Sequence, residues 1–236
     1  KKVMKGGKEV EEPIYYPNGT VQIITAKDVK PNVYVDVTKL SDADLVKQLS
    51  SKSAVQRLET QRQILDRAKP ALGEPVLAIA RSGSEHLYAR VAAIFTYKQL
   101  LGAQANAALA GLAKDAVVRE FALRALTDRT TQLEGVPVQL FVDALKDADP
   151  RVRLQALIGL QRLGAKDAAP AILAAAGQWP ADESKLGEGE HYRLPHTAIA
   201  ALRSLGNAQA CLAALADPAQ RFVAFRALQG IHSDEA

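Results

Sequence analysis

One line of residues recurs along this chain, and no other feature constrains the fold as strongly. Asp149, Arg153, Ala156 and Leu160 form the clearest copy; Asp115, Arg119, Ala122 and Leu126 a second; Asp217, Arg221, Ala224 and Leu228 a third. In each, Arg follows the Asp by four residues, Ala by seven and Leu by eleven. The last three positions fall at helical spacing on one face. A unit written several times at near-constant length marks a repeat array, in which each unit buries its apolar face only against its neighbours.

The segments between the copies complete six antiparallel helix pairs. The first pair spans Leu40–Leu49 and Val55–Leu65, the second Pro75–Ala80 and His86–Leu100, the third Ala105–Ala113 and Val117–Leu126. The fourth is Val136–Leu145 with Pro150–Leu163, the fifth Ala168–Ala176 with Pro195–Leu205, the sixth Ala208–Leu215 with Pro218–Leu228. The anchor positions Arg57, Arg90, Arg119, Arg153, Pro195 and Arg221 are 33, 29, 34, 42 and 26 residues apart. HEAT and armadillo units run to roughly 40–47 residues, so these are compact units, and the longest interval holds an inserted loop around residues 178–194. The expected fold is therefore all-α: a HEAT-like α-solenoid, a right-handed superhelix of about six helix pairs, with an extended N-terminal arm. Ala93, Ala122, Ala156, Ala198 and Ala224 allow close helix approach, and Leu126, Leu160, Leu202 and Leu228 fill the groove one turn on. The early Asp or Asn caps the following helix. The recurring Arg is expected to reach an acid or a carbonyl on a neighbouring repeat, a stacking role rather than ligand binding.

Residues 1–37 differ from the rest. Lys1, Lys2, Lys5 and Lys8 around Gly6-Gly7 read as a polar, mobile start. Val21–Ile23 and Val33–Val37 are β-branched and read as extended strand, so the region reads as an extended arm or short hairpin too small to fold alone. The division is an arm or linker over 1–37 and a repeat domain over 38–236. Ser41 with Asp44 resembles a capping box. Asn18-Gly19-Thr20 matches the glycosylation sequon, a tripeptide common by chance.

Composition narrows function by exclusion. Hydrophobic residues are 48% of the chain and aromatics 5%, which suits helix packing with small side chains. The formal charge is +4, with acids and bases interspersed as in Lys114-Asp115 and Lys146-Asp147. Such a mixed surface does not point to nucleic acid, which calls for clustered Lys and Arg. The single cysteine, Cys211, lies in an apolar helical stretch and reads as a buried, inert thiol. No apolar run reaches the ~18 residues of a membrane span. The chain opens at Lys1 without Met, which reads as a processed chain or one cut from something larger.

Chemistry is sparse. His86, His191, His196 and His232 are the histidines. His191 and His196 lie near Glu188 and Glu190, but this reads as a solvated polar loop rather than a zinc site. No zinc, haem or phosphate-loop motif occurs, no acid–base pair stands out, and no metal, cofactor or catalytic residue is assigned. Trp179, His191, Tyr192 and Arg193 put aromatic and cationic character on one loop. Trp179 either caps the gap left by the long interval or forms part of an interface. Phe222, Val223, Phe225 and Leu228 on the last helix cannot all face inward, so Phe222 and Phe225 join the possible interaction surface.

Tyr16–Gln22 and Asp36–Val46, together with Arg119–Arg129 and Arg226–His232, resemble the HEAT region of large multidomain dehydrogenases of planctomycetes and verrucomicrobia. In that family a quinoprotein-like β-propeller precedes the linker and repeats, and a c-type cytochrome domain usually follows. The resemblance implies an exported or periplasmic redox protein in which this segment spaces propeller and cytochrome. Neither the propeller nor a haem motif is present here, so no catalytic residue carries over. The expected function is a non-catalytic scaffold with protein partners. Two alternatives stand beside it. One is a nucleic-acid-binding module such as an alkylpurine DNA glycosylase, disfavoured by a lone Trp. The other is a HEAT-type lyase or chaperone acting on a chromophore-bearing partner.

Overall fold

The structure, a computed structural model, describes residues 2–11, 34–178 and 193–232. It divides into two compact units, Lys1–Tyr34 and Val35–Ala236. In the first, β1 (Lys2–Lys5) and β2 (Lys8–Glu11) pair antiparallel, with Val3 opposite Val10 and Lys5 opposite Lys8. Gly6 and Gly7 link them at φ 58° and 80°. Positive φ at both central residues is what a two-residue hairpin turn requires, and glycine reaches it without strain. The charged start expected as a mobile tail is thus a hairpin. The strand expected at Val21–Ile23 lies outside the described residues. So does Val33, and the rest of the strand expected at Val33–Val37 is not one. Tyr34–Asp36 is irregular, and Val37–Lys39 is a 3-10 turn capped by Asp36, whose carboxylate accepts from the Thr38 N–H. Among the described residues of the repeat unit there is no strand for this stretch to pair with. The Gln56 side-chain amide instead bonds both Val35 N–H (3.3 Å) and Val35 C=O (3.0 Å).

The second unit carries twelve α-helices among its described residues. They are α1 (Asp42–Lys47), α2 (Ala54–Arg67), α3 (Gly73–Arg81), α4 (Leu87–Leu101), α5 (Asn106–Leu112) and α6 (Arg119–Thr127). There follow α7 (Val138–Ala144), α8 (Pro150–Arg162), α9 (Ala169–Ala176), α10 (Arg193–Leu205), α11 (Ala208–Ala214) and α12 (Arg221–Leu228). Each odd-numbered helix packs on the even-numbered one after it, and the even-numbered helices pack in sequence as α2, α4, α6, α8, α10 and α12. This is the α-solenoid expected from the repeat, with six helix pairs. Caps set the starts: Ser41, Ser53, Asp149 and Asn207 accept from backbone N–H groups of α1, α2, α8 and α11. At Ser41 the capping box is incomplete, because the Asp44 carboxylate takes the Ser41 hydroxyl rather than a backbone N–H. His86 caps α4. Its Nδ1 accepts from Ala89 N–H at 3.2 Å, so Nε2 carries the hydrogen and donates to the Ser50 carbonyl at 3.1 Å.

The core is continuous along the array. Ala93, Ala122, Ala156, Ala198 and Ala224 are fully buried, as are Leu126, Leu160 and Leu202. Leu228 is only half-buried, since no described helix pair stacks beyond it. Gly159 in α8 marks the tightest approach: a Cβ there would lie 2.2 Å from the Phe141 ring of α7. Phe141 is itself fully buried, so the glycine is what lets α7 and α8 close around it.

Candidate functional site

The recurring Arg does two things at once. In its own repeat it binds a carbonyl at the end of the first helix: Arg119 Nε donates to Ala113 O (2.9 Å), Arg221 Nε to Leu215 O (2.8 Å), Arg90 Nε to Ala80 O (2.9 Å). Towards the next repeat its outer nitrogen meets an aspartate: Arg90 Nη2 holds Asp115 Oδ2 at 2.6 Å, and Arg119 Nη1 holds Asp147 Oδ2. Each aspartate turns its other oxygen to the backbone N–H two residues on, Val117 or Asp149. One planar guanidinium thereby ties a helix end to the neighbouring repeat, a geometry that a lysine ammonium does not match. Hydrogen bonding from Arg90 holds the Asp115 carboxyl below the usual carboxylate range.

The rungs vary with local sequence. In the fourth repeat the acid is Asp147, not the Asp149 that aligns with Asp115 and Asp217. The loop places two aspartates there, and Asp149 is committed to capping α8. At the first junction Arg57 binds Ser51 O and Lys52 O and lies over the Tyr88 ring, 5.5 Å from its centre. At the last junction Pro195 stands where the Arg would be. Asp217 keeps its turn bond to Ala219 N–H, and its second oxygen accepts from Gln220 of the same loop.

A second polar feature escaped the sequence reading. Lys98 on α4 is 1% exposed. Its Nζ donates to Asn106 Oδ1 (2.6 Å) and Gln132 O (3.1 Å). Asn106 in turn donates to Gln132 O (3.1 Å) and Glu134 O (2.8 Å). The knot fastens the loop before α7 to the second and third repeats. Burial pushes the Lys98 ammonium below its ordinary pKa. A perturbed lysine is a mark of function when a cleft exposes it; this one is sealed and hydrogen-bonded, and its role is to bind backbone carbonyls. The signal was a lysine on the same turn as Ile94 and Tyr97, in a helix buried on nearly all sides.

The last repeat leaves an apolar surface open at a position closed in the inner repeats. Phe225 on α12 occupies the position that Ile94, Leu123 and Leu157 fill four residues after Arg90, Arg119 and Arg153. Those three are completely buried; Phe225 is 54% exposed. Leu215, Pro218, Arg221, Phe222 and Phe225 line one groove on this face. Phe222 also borders a groove between α10 and α12, with Ile199, Arg203 and Arg226. Of the sequence-predicted surface, the structure brings Phe222 and Phe225 together. Arg193 begins α10, and its side chain is exposed. Trp179, His191 and Tyr192 lie outside the described residues. Among the described residues no cluster of His, Cys, Asp or Glu has the geometry to hold a metal ion, and no helix is long and apolar enough to cross a membrane. Cys211 is buried on α11, and burial raises its thiol pKa, which disfavours the nucleophilic thiolate.

No protein-family model and no curated protein matches the sequence. Similar solved structures include a designed armadillo repeat protein, 18% identical at a TM-score of 0.44, covering 81% of this chain and 100% of that one. A chain from a structural study of microtubule plus-end tracking is 14% identical at a TM-score of 0.47, covering 85% of this chain and 98% of its own length. The complex of CpcE and CpcF of phycocyanin lyase from Nostoc sp. PCC7120 matches at 17% identity and a TM-score of 0.41, covering 92% and 96%. All three lie below a TM-score of 0.5, and no role of any residue passes from them to this chain.

Proposed function

We propose that this chain is a non-catalytic α-solenoid scaffold whose work is protein–protein contact. The observation that carries this reading is the end face of the sixth repeat. There Phe225 stands open at a position buried in three inner repeats, and half-buried Phe222 and Leu215, with Pro218, line the same groove. Aromatic residues grouped on an exposed patch are typical of interfaces. The polar groups with unusual environments, Lys98 and the Arg–Asp rungs, are taken up in holding the repeats together. A finer reading is a spacer between propeller and cytochrome domains in an exported dehydrogenase. It is supported by the resemblance at Tyr16–Gln22 and Asp36–Val46. A genomic reading frame with a propeller upstream and a Cys-x-x-Cys-His motif downstream is the result expected for it.

The interface is tested with an environment-sensitive hydrophobic dye. The wild-type chain is expected to enhance dye fluorescence at its native helical content. The Phe222→Ser/Phe225→Ser double variant is expected to lose the enhancement at unchanged circular dichroism. A wild-type chain that binds no dye, or a variant that binds as well, overturns the interface.

A further inference from the structure

We infer that the end face receives a helix of another polypeptide carrying a large apolar residue, a small residue four positions later and an aspartate three after that. This rests on the scaffold reading and adds the chemistry of the partner. The template lies inside the molecule. Between the third and fourth repeats, Arg119 and Leu123 share one groove with Leu140, Ala144 and Asp147. Leu140 and Ala144 of α7 line the apolar side of that groove, and Asp147, just beyond α7, takes the outer nitrogen of Arg119.

The sixth repeat reproduces the receiving half of that junction. Arg221 makes the same bond with its Nε, to the carbonyl six residues back, as Arg119 does. Phe225 stands four residues on, where Leu123 stands. What is missing is the covering half. Arg221 donates from Nε to Leu215 O, and among the described residues no acid meets its outer nitrogens. The guanidinium is already oriented by the first bond, so a carboxylate arriving beside Phe225 gains a charge-assisted hydrogen bond without a fresh ordering cost. A second copy of this chain stacking head to tail does not supply the acid. Its first inter-helix loop reads Gln48-Leu49-Ser50-Ser51-Lys52-Ser53 and contains no carboxylate.

The test uses the full chain and a helix-stapled peptide with the sequence of residues 138–148, paired with the same peptide carrying D147N. Fluorescence anisotropy is expected to show saturable binding of the aspartate peptide. Binding is expected to weaken about tenfold for the asparagine peptide, and by a similar factor on Arg221→Gln, and to vanish on Phe225→Ser. The loss on Arg221→Gln is expected to be much smaller with the asparagine peptide, because the two changes remove one contact. Equal affinity for both peptides overturns the acid-specific partner while leaving the apolar interface of the dye experiment standing. Binding that survives Phe225→Ser places the peptide elsewhere and overturns the inference. So does an absence of binding, or sedimentation showing that copies of the wild-type chain already cover this face.

Discussion

Gly159 shows how much one missing methyl group decides. Alanine is the better helix former by about 1 kcal/mol, yet a Cβ here meets the Phe141 ring at 2.2 Å. Gly159→Ala is expected to destabilise by roughly 1–3 kcal/mol, read from urea melts, and Phe141→Leu in the same chain should recover part of the loss. An unchanged midpoint would mean that α7 gives way freely. Lys98 carries the opposite lesson, that a buried charge is tolerated when its acceptors are in place. Asn106→Ala removes one of them, strips the Glu134 carbonyl of its donor and leaves the Gln132 carbonyl to Lys98 alone. A loss of about 2–4 kcal/mol is expected. Adding Lys98→Met should restore stability, because the uncompensated ammonium goes with it. A double variant no better than the single one would locate the cost in the loop alone.

At the scale of elements, helix pairs are joined by guanidinium bridges as well as by apolar packing. The Asp115 carboxyl titrates below its usual range because Arg90 donates to it. A carboxyl with a depressed folded pKa binds its proton more readily in the unfolded chain. Its contribution is therefore complete above the unfolded pKa, about 4, and is lost as pH falls through the folded value. Asp115→Asn should accordingly flatten part of the acid limb of a stability–pH curve below about pH 4. It should still accept from Val117 N–H. Parallel curves for the two proteins would show that the rung contributes no pH dependence. The bridge is partly open to solvent, so the effect belongs to the modest range of such pairs.

Across the whole molecule, stability of a repeat array is close to a sum of unit and neighbour terms, so the weakest junction opens first. Rungs span the second to third and third to fourth repeats through Arg90–Asp115 and Arg119–Asp147. At the final junction Pro195 supplies no guanidinium, and the bond of Arg203 to Arg226 O (2.8 Å) ties α10 to α12 in its place. The sixth repeat also has a neighbour on one side only among the described residues. Native-state hydrogen exchange should therefore find α11 and α12 less protected than α4, α6 and α8. Uniform protection along the array would show that apolar stacking alone sets the order of opening. Ligation of the end face by the stapled helix should raise protection in α12 first.

The local pattern determined the six pairs, their approximate limits and the small residues at close contacts. Each of these depends on neighbours three to eleven residues apart, a distance over which helix periodicity is written directly into the chain. Of the three aspartates expected to cap second helices, only Asp149 does so, Asp115 and Asp217 bonding instead to turn N–H groups before α6 and α12. The pattern also put an Arg at each junction but one. Which acid that Arg would meet was decided only by the stacking. The choice of Asp147 over Asp149 depends on the length of a loop and on a cap that claims one of two adjacent aspartates. Lys98 was legible as an anomaly on an apolar turn, but its acceptors lie on segments up to 34 residues away and meet it only in the packed array. Phe225 matched the buried Leu123 and Leu157 in spacing. Its exposure comes from what stands beside the sixth repeat, and that is a property of tertiary structure.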